Sequence, residues 1–285
     1  MLRTDSGNAS YRGGAARDHN GSLSITSYLN GKMRTEIEKG KGKGRMRILL
    51  VNDDGIDAEG MKSLAEMAVQ LGEVWIAAPE RQWSAMSHRL MLREEKKVVC
   101  RQDYAVAVEK AYSISGTPAD CVKIALFELL PVKPDIVFSG VNYGWNAGFD
   151  IAYSGTIAAA VEARMNEIPA IAFSTQAVPC HDVMKKYLLP VTQDLLKREI
   201  SDSEIWNVNF PGCPIEDYRG ILYDRKVARA PLFTDGYYRT TFADGSFSVI
   251  EKDILTSEED IPEGSDLKAV MEHYISIGKV RGIVF

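Results

Sequence analysis

The chain has 285 residues, 45% of them hydrophobic and 26% charged, which supplies a sizeable core and excludes disorder as a whole-chain answer. The formal charge of −5 is unevenly placed: residues 1–45 carry 9 Lys and Arg against 4 Asp and Glu, so the rest is an acidic body, unsuited to a nucleic-acid polymer as main ligand. Four scattered cysteines with no CxxC pair exclude a disulfide-stapled scaffold; with no apolar run near the ~20 residues of a membrane helix and no leading apolar h-region, the expectation is a cytoplasmic protein that does not engage membranes.

Residues 1–45 are rich in Gly, Ser, Asn and Arg, show no apolar period and end in alternating Lys and Gly. They read as a disordered extension or a start-site artefact, with 46–285 as one folded domain. From Met46 the order is strand, turn, helix, strand. Arg47 to Asn52 is a buried parallel strand, and Asp53-Asp54-Gly55 a turn. Ala58 to Leu71 has helical period, with Gly72 as its C-terminal cap, and Val74 to Pro79 is the next strand. This β-α-β unit requires a right-handed crossover.

Lys97 to Ser115 reads as short edge strands. Thr117-Pro118 starts a helix running to about Leu130, and Asp135 to Ser139 is a strand that enters a glycine-rich loop, Gly140 to Gly155. A helix over Thr156–Met165, a strand over Ala170–Ser174 and a helix near Val183–Arg198 follow. Gly236 to Glu251 reads as a hairpin turning at Asp244-Gly245. The fold class is α/β: a three-layer, Rossmann-like sandwich around a mainly parallel sheet, with β-hairpin extensions toward the C-terminus.

Ligands in such sheets sit beyond the carboxyl ends of the strands. There the chain places Asn52, Asp53, Asp54, Ser84, Asn142, Asn146 and Ser154-Gly155-Thr156, all oxygen-bearing side chains or glycine. Adjacent carboxylates with a hydroxyl and an amide oxygen form a hard donor set that suits Mg²⁺, Mn²⁺ or Ca²⁺ over zinc. The competing reading of Asp53-Asp54-Gly55 is a turn that caps the next helix. Ser154-Gly155-Thr156 opens a helix whose N–H groups suit a phosphate, although Ser and Thr also serve as ordinary caps, and Gly116-Thr117-Pro118 has the same ambiguity. His88, four residues after Ser84, is the histidine best placed to approach the site, and Trp83 and Trp145 lie in loops from which they can lean on a nucleobase.

Four blocks in order, Met46 to Gly55, Ala78 to Ser84, Ser115 to Val122, and Pro134 to Asn142 continuing through Gly144, Asn146, Gly148 and Tyr153 to Thr156, resemble the SurE family of stationary-phase survival proteins. The resemblance spans about 46–277. It implies a metal-dependent 5′(3′)-nucleotidase, a phosphomonoesterase acting on nucleoside monophosphates and also on short polyphosphate. It further implies one divalent ion per subunit on Asp53, Asp54, Ser84 and Asn142, with Asp53 and Asp54 catalytic, a phosphate pocket of Asn146, Ser154, Gly155 and Thr156, and a homodimer or homotetramer exchanging C-terminal segments. The chain departs from the family pattern in three places. Ala85 follows Ser84 where glycine is usual, Ser265-Asp266 replaces Thr-Asp with Asp266 as a candidate catalytic helper, and Tyr274 to Lys279 lacks the usual Thr-Pro-Leu. Two other readings compete: an aspartyl-phosphate phosphatase, which needs carboxylates two apart, and a non-catalytic nucleotide- or phosphate-binding module with a decayed site.

Overall fold

The computed structural model describes residues 45–234, 236–252 and 254–282, so the expected tail, Arg45 excepted, lies outside the described residues. Strand β1 (Met46–Val51) alternates its side chains between two cores. Ile48 and Leu50 enter one, Leu49 and Val51 the other, which is why the strand is apolar throughout. Helix α1 (Glu59–Ala68) turns Met61, Leu64 and Ala65 onto the first face, and β2 (Gly72–Pro79) returns parallel to β1. The helix stops at Ala68, short of the predicted Leu71, and Gly72 is a strand residue where a helix cap was predicted. It pairs with Met46, and a Cβ on Gly72 would fall 1.9 Å from the Met46 carbonyl oxygen, so close backbone approach requires glycine.

β3 (Val98–Cys100) and β4 (Lys110–Ile114) pair antiparallel at the sheet edge, as expected of that segment. Helix α2 (Pro118–Ile124) ends in a wide turn to Leu129. β5 (Ile136–Tyr143) runs four residues beyond the predicted strand into the glycine-rich stretch, which holds a 3₁₀ segment at Gly148–Tyr153 before helix α3 (Gly155–Met165). β6 (Ala170–Thr175), α4 (Asp182–Leu195) and β7 (Glu204–Phe210) follow, then β8 (Gly220–Arg225). Next come the short β9 (Phe233–Thr234), β10 (Tyr237–Thr241), β11 (Phe247–Glu251) and β12 (Ile254–Leu255). Helix α5 (Asp266–Met271) leads into β13 (Tyr274–Arg281).

Nine strands form the central sheet in the order β3-β4-β2-β1-β5-β6-β7-β13-β8, with α1 and α4 on one face and α2 and α3 on the other. β3 and β13 supply the antiparallel pairings. The chain leaves β1 toward β2 and returns on its other side as β5, so the strand order reverses at β1. A crevice therefore opens at the carboxyl ends of β1 and β5. β9 pairs with β12 and β10 with β11 outside this sheet, forming a C-terminal arm that includes the predicted hairpin.

Candidate active site

The end of β1 enters the crevice as Asn52-Asp53-Asp54. Asn52 is fully buried and donates from Nδ2 to the Gly55 carbonyl at 2.8 Å, while its Oδ1 has no partner among the described residues. This bond closes the turn and turns the two aspartates out of the strand. Neither carboxylate caps α1, whose N-cap position is Ala58 with no side-chain bond. The capping reading of Asp53-Asp54 is thereby excluded.

Asp53 is 4% exposed. Its Oδ1 accepts the Thr156 hydroxyl proton at 2.5 Å, and its carbonyl accepts the Trp83 N–H at 2.7 Å. Burial pushes the Asp53 carboxyl up to about 6, against the Thr156 hydrogen bond, with the charge of Asp54 adding to the rise. No basic side chain pairs with it among the described residues. Asp54 is half-buried. It accepts the Tyr143 N–H at 3.2 Å and the Gln82 amide at 3.0 Å, and burial raises its carboxyl as well. A carboxylate buried like Asp53 with no cationic partner is costly, and a divalent ion beside it would relieve that cost.

Most of the remaining predicted residues gather around Asp53 in a cleft that Asp54 does not line. The cleft, of about 400 Å³, is lined by Asp53, Ser84, Asn142, Asn146 and Ser154, with Tyr143, Trp145, Asp150, Tyr153, Leu232 and Phe233 among its walls. Asn142 is held by its Nδ2 bond to the Gly144 carbonyl at 2.8 Å. Asn146 is fixed from three sides. Its Nδ2 donates to Ser174 Oγ at 2.8 Å, its N–H donates to Asn209 Oδ1 at 2.9 Å, and its carbonyl accepts from Asn207. Ser154 caps α3, accepting the Ile157 N–H at 3.0 Å. The N–H of Gly155 donates to no described residue.

The resemblance places Thr156 in a phosphate pocket with Ser154 and Gly155. Thr156 is fully buried, and its hydroxyl is spent on Asp53. The start of α3 thus carries a carboxylate of the chain itself. Gly155 allows this contact: a Cβ there would lie 2.8 Å from Asp53 Cβ and 3.0 Å from Oδ2. Ala85 occupies left-handed backbone at φ 55°, so the sequence departure falls where glycine would be unstrained.

Asp266 does not line the cleft. It is buried, and its oxygens accept the N–H groups of Gly148, Ala228 and Leu267, anchoring the glycine-rich loop to the start of α5 and to the segment after β8. His88 turns to Glu162, with Nε2 2.9 Å from Oε2. Trp145 lines the cleft and donates its indole N–H to the Phe210 carbonyl at 2.7 Å, whereas Trp83 packs under the Arg81 guanidinium, away from the lining. Asp150, Leu232 and Phe233 escaped sequence reasoning. Leu232 and Phe233 come from an arm some 180 residues after Asp53, and no local pattern marks them.

Fold and site together define an α/β protein whose sheet opens, at its switch point, into an oxygen-lined, carboxylate-bearing cleft beside a helix N-terminus. The family profile described as Survival protein SurE matches residues 48–231, and the chain belongs to that family. It is 38% identical over 239 residues to the 5′-nucleotidase SurE of Clostridium botulinum (strain Loch Maree / Type A3), covering 81% of this chain and 91% of that protein. It is 36% identical to the 5′-nucleotidase SurE of Pelobacter propionicus over 81% and 92%. The crystal structure of the SurE protein from Aquifex aeolicus superposes with a TM-score of 0.71 at 31% identity, covering 84% of this chain and 94% of that one.

Proposed function

We propose that this chain is a 5′-nucleotidase, a metal-dependent phosphomonoesterase that hydrolyses nucleoside 5′-monophosphates and also accepts 3′-monophosphates and short polyphosphate. The names of its relatives support the phosphomonoesterase activity. The carrying observation in the structure is Asp53, buried without a cationic partner in a cleft that Ser84 and Asn142 also line, with the Asp54 carboxylate beside it in the chain. These four residues are oxygen donors of the kind Mg²⁺ and Mn²⁺ select. A divalent ion held there supplies charge neutralisation at the phosphoryl oxygens and makes a water molecule more acidic.

The protein groups divide the remaining work. Thr156 holds Asp53 in one orientation, and Asn146, Ser154 and the Gly155 N–H receive the phosphate oxygens. The Ser154 oxygen is occupied by Ile157, so its own proton is available to a ligand. Asp53 or Asp54 takes the proton of the attacking water as the bond from phosphorus to the nucleoside oxygen breaks, and the departing oxygen takes a proton from solvent. Tyr143, Trp145 and Phe233 offer the nucleoside an aromatic wall.

We further assign the C-terminal arm to self-association as a homodimer or homotetramer, because Tyr237, Tyr238, Phe247, Ile250 and Leu255 are exposed on it. The four unpaired cysteines suit the cytoplasm, and no described helix is long and apolar enough to cross a membrane.

The test is phosphate release from AMP with Mn²⁺ or Mg²⁺, repeated after chelation. Release that stops with the chelator and returns with metal supports the reading. Binding of AMP with no release under any metal supports instead a binding module with a decayed site.

A further inference from the structure

Ser84 is the one proposed metal ligand that does not lie in or directly after a strand of the crevice. It is exposed in the long connection between β2 and β3, and it is followed by two residues in left-handed backbone, Ala85 and Ser87 at φ 51°. A ligand on such a segment keeps its position only if the segment is fastened on both sides. On the near side, the Trp83 N–H donates to the Asp53 carbonyl. On the far side, Ser87 donates from its N–H to the Tyr153 carbonyl at 2.9 Å and from its hydroxyl to the Ala152 carbonyl at 3.0 Å. His88 then reaches Glu162 at 2.9 Å.

Glu162 is the unusual member of α3. The helix otherwise buries mainly alanines and other apolar residues, yet the Glu162 side chain is only 3% exposed. A carboxylate in that position requires partners. It has Lys123 at 3.3 Å, Asn166 at 3.2 Å and His88. Burial raises its carboxyl, and His88 and Lys123 outweigh that and hold it below the ordinary range. Of the three partners, only His88 belongs to the Ser84 loop. Helix α3 therefore holds two proposed ligands, Asp53 directly through Thr156 and Ser84 through the Glu162–His88 contact.

We propose that the His88–Glu162 contact is a positioning device for the metal site, holding the loop so that Ser84 Oγ stays in register with Asp53 and Asn142. The inference rests on the assignment of Ser84 as a ligand made above. His88 is a positioning residue: it bonds Glu162, lines no part of the cleft, and acts through Ser84.

The test is a double-mutant cycle read as Mn²⁺ binding to the full chain by titration calorimetry, without substrate. Ser84→Ala and His88→Ala are each expected to raise the Kd about 10-fold, and the double variant to bind no more weakly than Ser84→Ala alone. His88→Gln, which keeps a hydrogen-bond donor toward Glu162, should recover most of the affinity. Amide exchange over residues 82–91 should quicken in His88→Ala while that of β1 stays unchanged. A wild-type Kd in His88→Ala, or penalties that simply add in the double variant, would overturn the proposal. Should His88→Ala fail to fold, Glu162→Gln takes its place in the cycle, read the same way. A wild-type protein that binds no Mn²⁺ removes the metal site itself. If Ser84→Ala binds like the wild type, Ser84 leaves the ligand set and the clamp falls with it. Weakening by Ser84→Ala alone sinks only the clamp.

Discussion

Helices α2 and α3 each begin at a hydroxyl N-cap next to a glycine, in Gly116-Thr117-Pro118 and Ser154-Gly155-Thr156, and the fold uses the two starts in opposite ways. At α2 the helix closes on itself. Thr117 and Asp120 form a reciprocal capping box, and Asp120 Oδ2 also takes the Met91 N–H at 3.2 Å. The positive end of that helix is already occupied by its own carboxylate. At α3 no acidic residue lies in the first turn. The carboxylate comes instead from Asp53, 103 residues earlier, and it meets Thr156 while its residue also lines the cleft. A helix start in a sequence shows that an anion is welcome there. Whether that anion is local, distant or a ligand depends on what the sheet brings alongside.

Six substitutions would break or sharpen this contrast. The largest effect belongs to Asp54→Asn, expected to lower AMP turnover by about 10³-fold or more, several kcal/mol of transition-state stabilisation; steady-state rates near wild type would remove the mechanism. Gly155→Ala follows. Its new Cβ would displace Asp53, so kcat/KM should fall about 10²-fold.

The paired variants Thr156→Val and Thr117→Val address the two helix starts directly. The first should weaken Mn²⁺ binding about 10-fold or more while leaving the fold intact. The second should cost about 1 kcal/mol in urea denaturation and change turnover little. Equal losses of metal affinity in both would erase the distinction.

Acid stability is a milder probe. The Glu162 carboxyl is held below its ordinary value of 4.5, so its contribution is full above that value and is lost as pH falls through the folded one. Glu162→Gln should flatten the acid limb of stability against pH, measured by thermal unfolding. A limb as steep as that of wild type would show that the contact adds nothing. The smallest effect is expected of Ala85→Gly, which relieves left-handed backbone and should gain up to about 1 kcal/mol at unchanged turnover. A clear loss of stability would mean that the Ala85 methyl group packs usefully.

The sequence by itself determined the elements whose signals are local. Ile48 to Val51 alternate between two faces of a sheet with helices on both sides, so their uniform apolarity already specified a buried parallel strand. Asp53, Asp54 and Asn142 could be placed at strand ends because ligand sites in such sheets follow topology.

Only the tertiary structure decided how polar groups from distant segments satisfy one another. It bonded the Thr156 hydroxyl to Asp53, set Asp266 beneath Gly148 as an anchor, and paired His88 with Glu162. It also moved Gly72 from a helix cap into a strand, where the Met46 carbonyl leaves no room for a Cβ. Leu232 and Phe233 became cleft walls because β9 and its neighbours fold back over the glycine-rich loop. Such choices follow from burial and hydrogen-bond pairing between groups as much as 118 residues apart, as with Gly148 and Asp266.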